Sequence, residues 1–161
     1  MEIVIRDYKH DDLKKVASII STTFKENNFA DNEHQAATSF SNFFDPTLNA
    51  EEEIYRVFSA ADMFYVAEIN KEIVGAIRGS SNQILSLFVS TKFQGKSIGR
   101  KLIETFEQES KGDKIIVNSQ ISSVRFYETI GYKIAGSETL SHGLRIIPME
   151  KLVSEPDQTV Y

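Results

Sequence analysis

The apolar residues of the first third of the chain recur with two different periods. Residues 2–6 alternate in polarity, which predicts a short strand. The segment 27–48 is rich in Asn, Ser, Ala and Phe, and it predicts a loop followed by a phenylalanine-rich helix that stops at Asp45-Pro46. Between them, apolar positions with helical spacing predict a helix that buries one face; they are Leu13, Val16, Ala17, Ile20 and Phe24.

A further helix is predicted to start at Asn49. Asn is a favoured N-cap, and Glu52 stands three residues later, which is the spacing of a capping box. We expect this helix to continue to about residue 60. The acidic run at 51–53 then lies in the first turn, where negative charge interacts favourably with the helix dipole. We prefer this interpretation of the run to a metal site.

The rest of the chain alternates strands with helices. Asn70-Lys71 separates two alternating segments and predicts a hairpin. The order β-α-α-(α)-β-β-β-α-β-α-β-β predicts an α/β (α+β) fold in a single domain at 1–153, with a polar tail at 154–161. The predicted elements are strands at 64–69, 72–77 and 83–89, a helix from 97 to 112, a strand at 114–118, a helix at 122–130, and closing strands at 132–135 and 144–152.

Composition narrows the class of protein. The 161 residues are enough to bury a core, and the absence of cysteine excludes disulfides, thiolate metal sites and a thiol-linked acyl intermediate. The net charge of −5 has the wrong sign for a nucleic-acid surface and suits a cationic amine ligand better. The sequence contains no apolar run of membrane-spanning length, so we expect a soluble, cytoplasmic protein without nucleic-acid or membrane partners.

The most informative segment is the apolar strand that ends at Val89 and the glycine-containing turn at 94–99 that opens the next helix. The first amides of a helix have no intrahelical acceptor and carry partial positive charge, and glycine lets a phosphate approach the backbone closely. Lys96 and Arg100 oppose the helix dipole unless an anion is bound there. The turn therefore predicts a phosphate-bearing ligand.

Other motifs compete for this turn. A Walker A loop requires glycine where Ser90 stands, and the dinucleotide fingerprint requires glycine at Ser97 and Arg100. The nucleophile elbow of serine hydrolases, G-x-S-x-G, does match residues 95–99, and Asp113 and His142 follow in the order of its triad. This alternative ranks low, because the predicted hairpin makes neighbouring strands antiparallel, whereas the sheet of that fold is parallel.

Three segments resemble the GNAT superfamily of acyl-CoA-dependent N-acetyltransferases, in particular a small single-domain bacterial-type subgroup. Gln94-x-x-Ser97-x-Gly99 is similar to its pyrophosphate loop, with Ser97 in place of the central glycine. Residues 123–132 resemble its A-x-x-F-Y-E-x-x-G-F signature, and residues 143–151 resemble its last strand. Ser97 is tolerable if its φ is negative, because its hydroxyl could then bond a helix amide or a pyrophosphate oxygen, whereas a positive φ is expected to weaken ligand binding.

The resemblance implies a GNAT-like mixed, mostly antiparallel sheet with helices on both faces. It also implies that strand 85–89 diverges from strand 114–118, with the pantetheine arm of the co-substrate acetyl-CoA in the gap, and that Tyr127 protonates the leaving thiolate. The main chain of 87–89 would hold the pantetheine and the amides of 94–99 the pyrophosphate. The residues implied to bind acetyl-CoA are Leu87, Phe88, Val89, Gln94, Gly95, Lys96, Ser97, Ile98, Gly99, Arg100, Asn118, Ser123 and Phe126.

The resemblance does not imply an acceptor or a general base. Relatives often carry a carboxylate on the strand that residues 83–86 occupy here without one, so we expect a water-relayed base, with Glu33, His34 and His142 as candidates. The main hypothesis is direct acetyl transfer to a primary amine of a small molecule or peptide, without a metal. A non-catalytic acyl-CoA-binding module and, remotely, a hydrolase that uses Ser97 are the alternatives. The sequence leaves open whether the protein forms a homodimer.

Overall fold

The structure is a computed structural model that describes residues 1–153, so the tail predicted at 154–161 lies outside the described residues. The α-helices within that range are α1 (Leu13–Asn27), α2 (His34–Phe44), α3 (Glu51–Ser59), α4 (Ile98–Glu109) and α5 (Val124–Thr129). The strands are β1 (Ile3–Asp7), β2 (Met63–Ile69), β3 (Glu72–Ser80), β4 (Gln83–Val89), β5 (Lys114–Gln120), β6 (Lys133–Ile134), β7 (Thr139–Ser141) and β8 (Leu144–Leu152).

The strands form one mixed sheet in the order β1-β2-β3-β4-β5-β8-β6, and β7 also pairs with β8. β4 and β5 are parallel, while the other pairings between described strands are antiparallel. The predicted mixed, mostly antiparallel sheet is therefore confirmed. The hairpin predicted at Asn70-Lys71 joins β2 to β3, and both residues have the positive φ, 51° and 65°, that a type I′ turn requires.

The parallel strands β4 and β5 stay together over only two residue pairs. Gln83 lies opposite Ile116 and Ile84 lies opposite Val117, and the paired register ends there. On its other side, β5 pairs with β8 over its whole length. β4 and β5 thus diverge toward their C-terminal ends and leave an opening in the middle of the sheet, as the resemblance implied.

Helices cover both faces of the sheet, as predicted. On one face α4 buries Leu102 and Phe106 against the strands. On the other face α1, α2 and α3 enclose a second core that contains Ile54 and Phe58. Removing such apolar surface from water is the main stabilising contribution to the fold. Across residues 1–153, no helix combines the length and apolar character needed to cross a membrane.

The helix start predicted at Asn49 is wrong. Ala50 occupies the N-cap with an extended backbone, and the helix begins at Glu51. The side chain of Asn49 closes the preceding turn instead: its Nδ2 donates to the carbonyl oxygen of Phe43 at 2.9 Å, and its Oδ1 accepts from the amide of Ala50 at 2.9 Å. The acidic run still occupies the first turn of α3, as predicted.

Two other departures concern the strands. β3 continues to Ser80, beyond the predicted end at 77, because a β-bulge between Arg78 and Gly79 carries the strand past the charge and the glycine that interrupt the apolar pattern. The pattern also does not predict β7. It is a short strand, joined to β8 by a turn at His142-Gly143 with φ of 52° and 81°. Because the strand is largely exposed, its sequence shows no hydrophobic period.

Candidate active site

A cleft of about 1160 Å³ occupies the opening between β4 and β5. Residues of α1 and α2 line one side, and the starts of α4 and α5 line the other. Lys96 is exposed and is not part of the lining. The cleft brings together the other residues that the sequence singled out for the donor site, namely Leu87, Phe88, Val89, Gln94, Gly95, Ser97, Ile98, Gly99, Arg100, Asn118, Ser123, Phe126 and Tyr127.

The main-chain groups of β4 face β3 and the cleft in alternation. The amide of Ser90 donates to the carbonyl oxygen of Val74 at 2.8 Å, which makes these residues a hydrogen-bonded antiparallel pair. Every second pair along the ladder is of the same kind, so the main chain of Phe88 also bonds to β3. The main chains of Leu87 and Val89 therefore face the cleft. Phe88, from which a main-chain contact was expected, lines the cleft with its ring instead.

A side-chain hydrogen bond holds the turn at 94–99 against the end of β4. The Nε2 of Gln94 donates to the carbonyl oxygen of Val89 at 2.9 Å. Gly95 follows with a left-handed φ of 76°, and α4 begins at Ile98. The first amides of α4 have no intrahelical acceptor, and residues 98–100 line the cleft. The end of β4 and the anion-binding start of α4 thus open onto one cavity.

The backbone at Ser97 has the conformation that favours glycine. Its φ is 68°, in the left-handed region, and its side chain makes no capping hydrogen bond. Of the two cases that the sequence left open, the structure shows the positive φ, without a hydroxyl cap. The left-handed conformation costs a non-glycine residue about 1–2 kcal/mol, which explains why glycine suits this position of the loop.

The starts of α4 and α5 approach each other closely at Gly99. A Cβ at this position would lie 3.2 Å from the ring of Phe126, so any larger residue would require the ring to shift by a few tenths of an ångström. The Phe126 ring also packs edge-on against Tyr127, with 5.4 Å between ring centroids. Together with Asn118 and Ser123 it forms the wall of the cleft opposite β4.

Tyr127 is 5% exposed and lies between the rings of Phe126 and Tyr132, each 5.4 Å away between centroids. Its hydroxyl makes no hydrogen bond to another residue of the described range, whereas the hydroxyl of Tyr132 donates to Glu107 at 2.9 Å. Burial raises the pKa of Tyr127 well above the ordinary tyrosine value. The Tyr127 phenol therefore stays protonated at neutral pH and can donate a hydrogen bond inside the cleft.

The cationic side chains of the cleft have no acidic counterpart in the part of its lining that the structure describes. Arg78, Arg100 and His142 line it, while none of its described lining residues is Asp or Glu. This local balance is opposite to the net charge of the chain, −5. The sequence reasoning missed Arg78, although a lone charge inside a run of apolar strand residues was available as a signal. Across residues 1–153, no cluster of three or more His, Asp or Glu is arranged to hold a metal ion.

Comparison with known proteins agrees with this geometry. The model of the acetyltransferase (GNAT) domain matches residues 13–153. The chain belongs to the GNAT acetyltransferase family. A curated relative, an uncharacterized N-acetyltransferase of Methanocaldococcus jannaschii, is 36% identical over 81 residues. The match covers 44% of this chain and 52% of that relative, so it spans about half of the relative's length.

Solved structures share the GNAT fold over nearly the whole chain. A GCN5-related N-acetyltransferase from Rhodopseudomonas palustris superposes with a TM-score of 0.79 at 18% identity, covering 94% of this chain and 96% of that one. The PaiA N-acetyltransferase of Thermoplasma acidophilum, solved in complex with coenzyme A, gives a TM-score of 0.73 at 21% identity, covering 94% and 99%. At these identities the similarity concerns the fold.

Within this GNAT fold the three candidate bases are not equivalent. His142 is exposed in the turn between β7 and β8, and it lines the cleft. Glu33 and His34 are exposed at the start of α2 and are not among the lining residues. His142 is therefore the candidate that the structure brings to the cleft.

The same fold contradicts the hydrolase alternative. Ser97 and His142 line the cleft at the C-terminal end of β5, whereas Asp113 directly precedes β5 at its other end, where its carbonyl pairs with the amide of Val153. A strand of seven residues separates the two ends, which is about 20 Å at the usual rise per residue. The three side chains therefore do not form a triad.

Proposed function

We propose that this protein transfers the acetyl group of acetyl-CoA directly to a primary amine of a small molecule or a peptide. The observation that carries the proposal is the divergence of β4 from β5 over a cleft that meets the start of α4. The first feature offers main-chain groups to an extended arm, and the second offers an anion site. The structure of the Thermoplasma acidophilum protein of the same fold in complex with coenzyme A supports this choice of donor.

The donor would be held by main-chain groups more than by side chains. Leu87 turns its amide and carbonyl to the cleft, and Val89 turns its amide, while the Val89 carbonyl accepts from Gln94. These main-chain groups of Leu87 and Val89 would bind the pantetheine arm.

The range 94–99 that the resemblance implied for the pyrophosphate shifts by one residue, because the amide of Gln94 donates to the carbonyl oxygen of Thr91 at 3.2 Å. The amides of 95–100 would bind the pyrophosphate, with added charge from Arg100. Lys96 lies outside the cleft and would contribute only through its charge near the loop.

Acetyl-CoA supplies the acetyl group as an activated thioester. As the acceptor nitrogen bonds to the carbonyl carbon, the carbon–sulfur bond breaks, the nitrogen loses a proton and the sulfur gains one. Tyr127 is the proton donor for the sulfur, because its hydroxyl has no partner among the described residues and stays protonated. An acceptor in its ammonium form first loses one proton to water, with His142 as the base that lines the cleft. The second proton, which leaves the nitrogen during transfer, passes through water and restores the Tyr127 phenol.

A non-catalytic acyl-CoA-binding module is the second candidate function. The observation in its favour is that the cleft lining contains no carboxylate within the described residues to take the proton from an ammonium group. Both candidates bind acetyl-CoA, so only turnover separates them.

A thiol-release assay tests the proposed function. Because the chain contains no cysteine, a thiol reagent reports the released CoA without background from the protein. A panel of primary amines, including amino acids, diamines and short peptides, is incubated with acetyl-CoA, and products are checked for one added acetyl group by mass spectrometry. We expect amine-dependent CoA release that Tyr127→Phe lowers. Binding of acetyl-CoA without release for any amine would favour the non-catalytic module.

A further inference from the structure

The part of the cleft that α2 and α3 line, named the acceptor half, contains a buried arginine that has no hydrogen-bond or ion-pair partner within residues 1–153. Arg78 lies on β3, is 8% exposed, and lines the cleft on the side of α2 and α3. Its Nε is fully buried without a hydrogen-bond partner, and within residues 1–153 its guanidinium forms no ion pair. Its guanidinium carbon lies over the ring of Phe58, 5.6 Å from the ring centroid.

Two other arginines, Arg6 and Arg145, are each satisfied by carboxylates. Arg6 contacts both carboxylate oxygens of Asp12, at 2.8 and 3.0 Å, and also Glu68 at 3.1 Å. Arg145 contacts both oxygens of Glu138, at 2.8 and 2.9 Å. A buried guanidinium that lacks such a partner is costly, and its planar fork matches a carboxylate in two parallel hydrogen bonds. Arg78 therefore has the properties expected of a group that binds an anionic ligand.

Arg78 lies close to the place where the acetyl group would be transferred. It is directly opposite Ser86 across the β3–β4 ladder. The Ser86 hydroxyl also lines the cleft and has no hydrogen-bond partner among the described residues. Ser86 precedes Leu87, whose main chain faces the cleft, and one residue of strand spans about 3.4 Å. An anion between Arg78 and Ser86 would thus lie a few ångströms from the main chain of Leu87, which would bind the pantetheine arm.

The remaining walls of this half are apolar. Phe40, Phe43 and Phe44 of α2 and Val57 of α3 line the cleft beside Arg78. Side chains of this kind would bind an aliphatic or aromatic body and exclude water from the ion pair, which strengthens it. The basic lining also disfavours an acceptor with several positive charges, contrary to what the net charge of the chain indicated.

We infer that the acceptor is an amine that also carries a carboxylate and an apolar body, as an apolar amino acid does, and that Arg78 and Ser86 bind its carboxylate. This inference rests on the proposed function and specifies its substrate class. The carboxylate fixes the acceptor on one side of the transfer point, and the apolar body lies against α2. The amine then faces the end of β4.

The first test measures binding without turnover. Melting temperatures are recorded with benzoate, phenylacetate and N-acetyl-L-phenylalanine, and with their uncharged amides, in the presence and absence of CoA. We expect the carboxylates, and not the amides, to raise the Tm of the wild type. Arg78→Met should weaken apparent carboxylate affinity by about 30-fold or more, the usual effect of losing a charge-assisted pair. The carboxylate affinity of Arg78→Lys should lie between those of the wild type and Arg78→Met.

The second test measures specificity in turnover. The wild type should prefer L-phenylalanine, L-leucine or L-methionine to the corresponding amides by about 30-fold or more in kcat/KM, and Arg78→Met should remove the preference. Arg100→Met is the matched control, because it removes the other arginine of the cleft. It should weaken acetyl-CoA binding and leave the preference for carboxylates intact.

Three results would overturn the inference: equal Tm shifts with acids and amides in the wild type, equal effects of Arg78→Met on both, or loss of acetyl-CoA binding in Arg78→Met. The comparison of acids with amides in the wild type decides the question even if Arg78→Met does not fold. Failure of acetyl-CoA to shift the wild-type Tm would instead contradict the proposed function, while the arm without CoA still tests Arg78.

Discussion

The side-chain amide of Gln94 donates a hydrogen bond to the main-chain carbonyl of Val89 at 2.9 Å, and this bond ties the turn before α4 to the end of β4. Two main-chain regions that would contact different parts of one extended ligand are therefore held in a fixed relation. Such positioning lowers the conformational entropy that binding must remove.

Removing this bond should weaken donor binding. We expect Gln94→Ala to raise the Kd for acetyl-CoA by about 3- to 10-fold, because the bond stabilises the ordered conformation of the loop by about 1 kcal/mol. Gln94→Glu should weaken binding further, since a carboxylate cannot donate to Val89 and repels phosphate. Calorimetric titration with acetyl-CoA measures both. An unchanged Kd in Gln94→Ala would mean that the loop holds its shape without this bond.

The left-handed backbone at Ser97 predicts an unusual gain from glycine. Ser97→Gly removes a conformational cost of about 1–2 kcal/mol, part of which the greater freedom of glycine in the unfolded chain offsets. We expect unchanged or tighter acetyl-CoA binding and a free energy of unfolding that is equal or higher by up to about 1 kcal/mol. Ser97→Ala keeps the strained backbone and serves as the control.

Urea denaturation and titration with acetyl-CoA measure these effects. A large loss of affinity in Ser97→Gly would show that the serine hydroxyl has a specific contact with the ligand. Loss of all activity in Ser97→Ala, together with labelling of Ser97 by a fluorophosphonate, would reverse the rejection of the hydrolase.

Tyr127→Phe should affect the chemical step more than donor binding. We expect kcat to fall by about 10- to 1000-fold while the Kd for acetyl-CoA stays within about 3-fold. Because burial raises the pKa of Tyr127, the hydroxyl keeps its proton above the usual range, and activity should not decline from its ionisation below about pH 10. Tyr132→Phe is the control, since its hydroxyl bonds to Glu107. An unchanged kcat in Tyr127→Phe would remove it from the chemistry.

Arg78→Met should stabilise the protein while it removes a binding group. Burial lowers the pKa of Arg78 to about 10, below its ordinary value of 12.5, because the folded protein offers the charge no described partner. The lowered pKa means a cost to folding that is present at all pH values below about 10 and that fades as pH rises from there toward 12.5.

Methionine keeps an apolar stem of similar length without the charge. We expect it to raise the free energy of unfolding by about 1–3 kcal/mol, equally at pH 6 and pH 9. Denaturant titrations at the two pH values measure this difference. A loss of stability would show that the guanidinium is satisfied in the folded protein.

The ion pair between Arg6 and Asp12 predicts a response to acid. The hydrogen bond from Arg6 holds the pKa of Asp12 below its usual range. A lowered carboxyl pKa stabilises the fold above the unfolded value of about 4, and the stabilisation is lost as pH falls through the folded value. Asp12→Asn should therefore cost about 1–2 kcal/mol at pH 7 and progressively less below about pH 4. A cost that is independent of pH would contradict this account.

The sequence predicted the fold well because most elements bury one side. The period of Leu13, Val16 and Phe24 identifies α1, and the apolar run that ends at Val89 identifies β4. The prediction failed where a strand is too exposed to show a hydrophobic period, as in β7, or where two local structures compete for the same residue. Asn49 is suited both to cap a helix and to close a turn, and only the position of Phe43 decides between them.

The site was predictable to the extent that motifs describe main-chain geometry. The loop at 94–99 could be identified from its glycines, but the φ of Ser97 could not, since serine is common at N-caps and the left-handed backbone is set by how β4 and α4 meet. Arg78 was visible as a charge in a strand. Its lack of a partner depends on which side chains lie across the sheet, and that information is tertiary.

The most direct test of the central claim is a thermal shift with acetyl-CoA, CoA and ATP in parallel. A ligand at 100 times its Kd stabilises the folded state by ~2.7 kcal/mol and should raise Tm by about 5 °C or more. We predict such a shift with both CoA species and none with ATP, and its loss in Ser97→Asp, which places a negative charge in the anion site. No shift with either CoA species would contradict the assignment of the cleft as a donor site.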